Sequence, residues 1–328
     1  MQLNDKILVT GAAGFIGSAL VWELNRRGFE NILITDVLGT DEKWRNLVPL
    51  RYDDFLDAGE LLGVLGSPAL QEVRWIFHLG ACSATTERDA SYLMENNFRY
   101  TRQLAEWAMG GKRRMVYASS AATYGDGSSG MEDGHVDLER FRPLNMYGYS
   151  KHLFDLHAKR RGWLDRLVGL KYFNIFGPNE DHKGDMRSVV HKATAQIRAT
   201  GSVDLFRSHR PDFRDGEQQR DFLYVKDAVD ATLHLAKHPD AAGIFNVGSG
   251  IASTWIDLVR PIFQTLGVPE SINFIDMPEV LRGKYQYRTL ADISRLKACG
   301  WSGQKFTLAE AVGDYVGNYL LGDRRLGD

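Results

Sequence analysis

Cysteine is nearly missing from these 328 residues, which contain only Cys82 and Cys299. Two thiols cannot build a disulfide framework, and neither has the neighbours of a metal site, so no metal is expected and a reducing compartment fits. Charge of one sign is also missing. A formal net charge of −2 gives no bulk electrostatic reason to expect nucleic acid or an anionic membrane as partner. No apolar run approaches membrane-spanning length, and the residues before Ile7 are few and polar. The expectation is a soluble, cytoplasmic protein with no membrane partner. Internal repeats and low-complexity segments are absent as well. What remains is a length that can bury a sizeable core and that suits one large α/β unit with a smaller lobe.

The first apolar run, Ile7-Leu8-Val9-Thr10, leads into Gly11-Ala12-Ala13-Gly14-Phe15-Ile16-Gly17 and then into helical spacing from Ser18 to Arg27, with Gly28 as a stop. Strand, glycine turn and helix in that order suit a dinucleotide. The glycines allow a tight turn and close approach of backbone to a pyrophosphate at the unpaired N–H groups of the helix start. A second strand, Ile32 to Thr35, ends in Asp36, about 20 residues on, where a ribose-binding carboxylate belongs. Asp36 would accept from an unphosphorylated ribose and repel a 2′-phosphate unless a cation lies close. Lys43 could supply it, although Asp41 to Arg45 reads equally as a solvated face, so NADP and NAD both stay open.

Tyr147 and Lys151 fall one turn apart on a predicted helix, so an ammonium can sit beside a phenol and lower its pKa. Making the phenol a base at neutral pH takes about 4 kcal/mol of preferential phenolate stabilisation, which one lysine in a dry site helped by a positive cofactor ring can approach. With 13 tyrosines in the chain, such a pair gains meaning only from its company. Met115 to Ala118 reads as a strand with Ser119-Ser120 at its C-terminal end, where open α/β sheets place their ligands. Ser120 can donate there to a substrate oxygen. Trp75 to Leu79 reads as another strand, leading into Gly80-Ala81-Cys82-Ser83, and its His78 reads as a packed core histidine. Leu167 to Phe173 and Asp221 to Val225 are further strands, with Asp227 capping a helix from Ala228 to Lys237. Between them, Arg207, His209, Arg210, Arg214 and Arg220 form a charged segment that is either solvated or a diphosphate clamp. The dinucleotide-binding portion is predicted at 1–172 plus about 221–250, and the substrate lobe at about 173–220 plus 251–328.

On Gly11/Gly14/Gly17, Ser120 ahead of Thr123-Tyr124-Gly125, Tyr147 with Lys151, Arg220-Asp221-Phe222 and Phe245-Asn246-Val247-Gly248, the chain resembles the extended short-chain dehydrogenase/reductase family over essentially its whole length. The resemblance implies a Rossmann-type doubly wound parallel sheet of the α/β class and a reaction that starts by hydride removal at a sugar carbinol. Gly80-Ala81-Cys82-Ser83, Tyr117 to Gly125, Leu144-Asn145, Tyr172-Phe173-Asn174 and His182-Lys183-Gly184 look most like the nucleotide-sugar epimerases that invert carbon 6 of an ADP-linked heptose for lipopolysaccharide. That likeness implies Tyr147 and Lys183 as the two acid/base residues, Lys151 as tuner of Tyr147 and binder of the nicotinamide ribose, and Ser120 as the group polarising the reacting oxygen. It assigns cofactor contacts to Gly11, Gly14, Phe15, Ile16, Gly17, Asp36, Val37, Lys43, Leu79, Gly80, Ala81, Cys82, Ser83, Asn96 and Lys151. Substrate contacts fall on Ser120, Asn174, Ile175, Lys183, Asp185, Lys192, Phe206, Arg220 and Tyr285. The cofactor implied is NADP, or NAD, tightly held and recycled, and the assembly implied is a homo-oligomer acting on a small-molecule nucleotide sugar. Val37 after Asp36, Asp185 at a small-residue position and the long segment 207–219 depart from the family pattern.

Three other readings draw on the same residues. A UDP- or GDP-sugar 4-epimerase would share Ser120, Tyr147 and Lys151 and have no need of Lys183. A dehydratase would need an acidic pair directly after Ser120, where Ala121-Ala122 offers no proton-transfer group. A non-catalytic dinucleotide sensor could dispense with the Tyr or the Lys, and both are present.

Overall fold

The short apolar runs of the sequence become the strands of one parallel sheet with helices on both faces, which is why several are buried along their whole length. The computed structural model of the protein describes residues 1–134, 137–282 and 285–328. In chain order its strands are β1 (Lys6–Thr10), β2 (Ile32–Asp36), β3 (Asp54–Asp57), β4 (Val73–His78), β5 (Arg114–Ser120), β6 (Val168–Tyr172), β7 (Asn174–Phe176), β8 (Val203–Phe206), β9 (Gln219–Tyr224), β10 (Gly243–Val247), β11 (Ala252–Thr254) and β12 (Ile272–Ile275). Seven of them pair in the order β10-β6-β5-β4-β1-β2-β3, every neighbour parallel. The order reverses between β1 and β4. In a doubly wound sheet that switch point opens a crevice at the C-terminal strand ends. The glycine turn after β1, the Leu79–Ser83 segment after β4 and Ser120 at the end of β5 all converge there.

The remaining strands build smaller sheets, β11-β9-β7 and β12-β8. β9 pairs with β7 and β11, and the chain re-enters the main sheet only at β10. The helix Val225–Lys237 starts directly after β9, three residues earlier than expected, so Asp227 lies inside its first turn rather than capping it. Its carboxylate instead accepts the backbone N–H groups of Lys305 (2.9 Å) and Phe306 (3.4 Å). The helix Phe15–Arg26 packs on this one, across a guanidinium of Arg27 that reaches Asp230 at 2.8 Å. No helix among the described residues is long and apolar enough to cross a membrane.

The helix Met146–Arg160 carries Tyr147 and Lys151. Asn145 begins it by accepting the N–H of Gly148 at 2.8 Å, a capping bond of about 1 kcal/mol. Phe154 anchors the helix edge-on against Tyr117 of β5, with ring centroids 4.8 Å apart. Such a pair adds roughly 0.5–1.5 kcal/mol beyond its buried area. The packing fixes the rotation of the helix, which turns Ser150, Lys151 and Asp155 inward.

Candidate active site

The crevice at the switch point is a cleft of about 450 Å³. Its floor is the turn after β1. Gly11 has φ +68°, and a Cβ on it would stand 2.5 Å from the backbone nitrogen of Gly80; a Cβ on Gly17 would stand 1.9 Å from the Gly11 carbonyl oxygen. Only glycine fits at either position, and the turn lies close enough to the helix for a pyrophosphate to meet its first N–H groups. That helix start has no side-chain cap, so those donors are available to an anion. At the end of β2 the Asp36 carboxylate accepts from the N–H of Ala13 (2.9 Å) and Val37 (2.8 Å) and from Lys43 Nζ (2.9 Å). The lysine expected as a candidate cation therefore does reach the ribose-binding carboxylate. Glycine cradle, bare helix start and oriented carboxylate together fit a dinucleotide.

His78 is a core residue, as expected. Its two ring nitrogens meet the hydroxyls of Thr10 (2.7 Å) and Thr101 (2.8 Å), and burial with the neighbouring Lys151 charge pushes it down to about 3. Thr10 also accepts the N–H of Gly80 at 3.1 Å, so this core network sets the height of the Leu79–Ser83 wall.

Tyr147, Ser120, Lys151 and Lys183 all line the cleft. Ser120 Oγ accepts the N–H of Ala122 at 3.1 Å and is hydrogen-bonded to the Tyr147 phenol. Lys151 Nζ donates to the Ala118 carbonyl at 3.0 Å. Burial draws its ammonium down to about 8, while the Asp155 carboxylate one turn on pulls the other way. The phenol departs from expectation. Burial raises Tyr147 above its ordinary value, with only the Ser120 bond opposing, so the lysine does not by itself lower it. Desolvating a phenolate outweighs an ammonium already committed to a carbonyl.

Lys183 arrives from a different element, the turn Asp181–Met186 that follows β7. Its ammonium stands 5.3 Å over the Phe15 ring at the glycine turn. Burial lowers it and the Glu180 charge opposes. Glu180 is almost fully buried and was not singled out from the sequence. Its carboxylate accepts the N–H (2.6 Å) and hydroxyl (2.5 Å) of Ser188 and the Tyr315 hydroxyl (3.0 Å). Next to it Asn179, held at φ +77°, donates to Ser18 Oγ (2.9 Å) and accepts the N–H of Leu326 (3.0 Å). The turn carrying Lys183 is thus pinned from both sides.

The other expected contacts divide. Gly11, Gly14, Phe15, Ile16, Gly17, Asp36, Lys43, Leu79 to Ser83 and Ile175 border the cleft; Val37, Asn96, Asn174, Asp185, Lys192, Phe206, Arg220 and Tyr285 do not. Val37 is exposed. Asn96 is half-buried and only donates to Asn97 Oδ1. Its neighbour Asn97 is the residue that shapes the wall: fully buried, it exchanges two 2.9 Å bonds with the backbone of Cys82 and donates to Ser150 Oγ at 3.0 Å. Helical spacing could have found it, since Leu93, Asn97, Thr101 and Leu104 share one buried face. Lys192 Nζ donates to the Asp185 carbonyl at 3.2 Å, both residues being exposed.

Arg220, Tyr285 and Trp255 form a second cluster. The guanidinium lies 5.5 Å from the Trp255 ring and 4.9 Å from the Tyr285 ring, and Trp255 Nε1 donates to Tyr285 Oη at 2.8 Å. Arg210 sits similarly over Phe213 and Tyr287. Of the charged segment, these two arginines are the ones ordered against aromatic faces; Arg210 also spends two donors on the Asp212 carboxylate (2.9 and 2.5 Å), whereas Arg220 gives one to the Gln219 carbonyl (2.8 Å) and meets no carboxylate among the described residues, which leaves it the better placed for an anion. Asn174 heads β7 and accepts from the Thr289 hydroxyl at 3.4 Å, and Phe206 closes β8.

Comparison with known proteins agrees with this geometry. The sequence profile of the NAD dependent epimerase/dehydratase family matches residues 7–248. An ADP-L-glycero-D-manno-heptose-6-epimerase of Nitratidesulfovibrio vulgaris is 52% identical over 95% of this chain and 97% of its own length. One from Fusobacterium nucleatum is 43% identical over 96% and 98%. Among solved structures, the Helicobacter pylori ADP-L-glycero-D-manno-heptose-6-epimerase superimposes with a TM-score of 0.80 at 26% identity, covering 96% of both chains. By sequence match along most of its length, and by a cleft built to seat a dinucleotide beside a tyrosine and a lysine, the chain belongs to the NAD dependent epimerase/dehydratase family.

Proposed function

We propose that the protein interconverts ADP-D-glycero-β-D-manno-heptose and ADP-L-glycero-β-D-manno-heptose by transient oxidation at carbon 6. The observation that carries this reading is that two proton carriers from separate elements, Tyr147 and Lys183, line one cleft. Inverting a carbinol requires proton transfer on two faces, and one base cannot serve both without moving. A nicotinamide dinucleotide bound in the cleft supplies a hydride acceptor and returns the hydride. Tyr147 takes the proton of the carbon 6 hydroxyl as its C–H bond breaks, leaving a ketone. Ser120 holds the oxygen through its hydroxyl. After the ketone presents its other face, Lys183 gives a proton to the oxygen of the opposite configuration. The reverse direction exchanges the two roles. Burial lowers Lys183 toward the range in which it can exchange protons near neutral pH, and Glu180 limits that fall. The close sequence likeness to the heptose epimerases supports the substrate.

The finer assignments belong to the same proposal. The dinucleotide is NADP, with Lys43 beside Asp36 available to a 2′-phosphate, and NAD is the alternative that an unphosphorylated ribose on Asp36 would favour. Arg220 and Tyr285 serve the diphosphate and nucleoside, with Asn174, Asp185, Lys192 and Phe206 around the sugar. Residues 1–172 with about 221–250 hold the cofactor and the rest hold the substrate. The enzyme acts in the cytoplasm as a homo-oligomer.

Proton NMR of the purified protein with ADP-D-glycero-D-manno-heptose and no added nicotinamide tests the reading. Inversion at carbon 6 without net oxidation is the expected result. No inversion, in a sample that interconverts UDP-glucose and UDP-galactose, would replace it with a 4-epimerase. The dinucleotide released on denaturing the same sample decides between NADP and NAD.

A further inference from the structure

A lysine lies in the middle of the central sheet. Lys171 on β6, paired in register with Ser119 of β5 and Asn246 of β10, is fully buried, and its ammonium has no hydrogen-bond partner among the described residues. An unbonded buried charge is costly and persists only where something nearby compensates it. Two aromatic faces do part of this, Tyr124 at 4.0 Å and Phe141 at 4.8 Å from Nζ. The rest comes from Asp155, whose Oδ2 stands 3.9 Å away and which is itself fully buried. Asp155 accepts Tyr117 Oη at 2.9 Å and Ser119 Oγ at 2.7 Å. It also belongs to the helix Met146–Arg160, one turn beyond Lys151. Three buried ionisable groups therefore run in a row from the sheet to the cleft, and the outer one belongs to the acid/base centre.

We propose that Lys171 and Asp155 act as a charge relay behind the active site: the Lys171 ammonium keeps Asp155 ionised, and the Asp155 carboxylate keeps Lys151 protonated beside Tyr147. Both are positioning residues, since neither borders the cleft. This rests on the proposed role of Lys151 as the tuner of Tyr147. The surroundings of each member are consistent with it. Facing Lys151 are His78, which is held neutral by burial, Cys82 and Asp155. Facing Asp155 are Lys151, Lys171 and the Tyr117 hydroxyl; burial raises its carboxyl and the Lys171 charge is the first opposing influence. Around Lys171 are Asp155, Asp133, Arg140 and His152, the last pushed down to about 4 by burial and then by Lys171 itself. Asp133 and Arg140 act at longer range, with Asp133 committed to the N–H of Asn246 at 2.8 Å and Arg140 to Glu132. Among the described residues, Asp155 is the carboxylate that acts on Lys151.

The test reads the charge on Lys151 directly. Purified holoenzyme labelled with carbon-13 at lysine Cε is titrated by NMR, the Lys151 signal being identified by its loss in Lys151→Met. In Asp155→Asn the midpoint of Lys151 is expected to fall by about one pH unit or more, the effect of removing an opposite charge at this range. Lys171→Met is expected to shift it the same way, because Asp155 then takes up a proton. The double variant goes no lower than Asp155→Asn, and Lys171→Arg stays at the wild-type midpoint. The alkaline limb of the turnover profile moves with the NMR midpoint. A Lys151 midpoint that does not move in folded Asp155→Asn and Lys171→Met overturns the relay, whatever their turnover. Should those variants fail to fold, Tyr117→Phe and Ser119→Ala each remove one hydroxyl donor to Asp155 at little cost in volume. A smaller downward shift in both supports the relay, and no shift in either overturns it. The titration needs no sugar, so failure of heptose conversion would not touch this result, and an unmoved midpoint beside intact epimerisation would sink the relay alone.

Discussion

Replacing Lys183 by methionine isolates the second proton transfer. The ammonium makes no side-chain hydrogen bond recorded among the described residues; its one close contact is the Phe15 ring at 5.3 Å. Losing a cation–π contact at a largely buried site costs about 1–2 kcal/mol, and methionine keeps most of the stem that covers the ring. The turn itself is held by Glu180, Ser188, Tyr315 and Asn179, whose hydrogen bonds the substitution leaves in place, although the buried Glu180 carboxylate loses a nearby positive charge. Stability should therefore change by no more than about 2 kcal/mol. Removing a positioned general acid, by contrast, lowers turnover about 10²–10⁴-fold, or roughly 3–5 kcal/mol in the barrier. The assay follows heptose inversion by NMR beside thermal unfolding, and a single-turnover experiment follows absorbance of the reduced nicotinamide. Because Tyr147 is intact, oxidation should still proceed, so reduced cofactor should accumulate with substrate while inversion stalls. Inversion within about threefold of wild type, with no accumulation, would refute the assignment of Lys183 as a proton donor.

Three further outcomes are expected. Tyr147→Phe removes the proton acceptor without changing ring shape and should abolish turnover while dinucleotide stays bound; near-normal turnover would remove the tyrosine from the mechanism. Gly17→Ala places a methyl 1.9 Å from the Gly11 carbonyl oxygen and should cost most of the dinucleotide content of purified protein, measured by absorbance after denaturation. Lys151 and Lys171 both titrate at about 8 when folded, through burial, and near 10.4 when unfolded. Between those values the unfolded chain binds more protons, so stability should rise with pH from 8 toward 10 by up to about 1.4 kcal/mol per pH unit for each lysine. Chemical denaturation at fixed temperature checks the sign, and a fall across that window would mean that one of the lysines is not buried as described.

Local features were the ones legible in the sequence. The glycine turn, Asp36 and the Tyr147–Lys151 pair each lie within one strand-turn-helix unit, so spacing alone positions them, and the predicted strands appear within one or two residues of the observed ones. Interactions over long separations were not legible. Glu180 reads as one more charge in a polar loop until Tyr315, 135 residues on, is folded against it. Asp227 looks like a cap because aspartate caps helices, and only the return of the chain at Lys305 shows where its carboxylate goes. Lys171, inside an apolar run, could have been noticed as a charge in a strand buried on both faces, but its partner is on a helix and its aromatic neighbours are at the ends of two short helical turns. The upward push of burial on the Tyr147 phenol was not legible for a related reason. Proximity of an ammonium is visible in spacing, whereas desolvation and the bond from Lys151 to Ala118 are not.

The knot at Glu180 and Asn179 has a consequence for the order of events at the ribosome. A chain emerging N-terminus first can assemble β1 to β6 and the helix bearing Tyr147 while the rest is still untranslated, since those elements pair only with residues already made or, for β6, with β10 soon after. The turn bearing Lys183 has to wait for Tyr315 and Leu326. A partly synthesised molecule could thus form its dinucleotide cradle and its tyrosine well before its second proton carrier is fixed. Fixing the turn that bears Lys183 is tied to the arrival of residues 135 and 147 positions further along the chain.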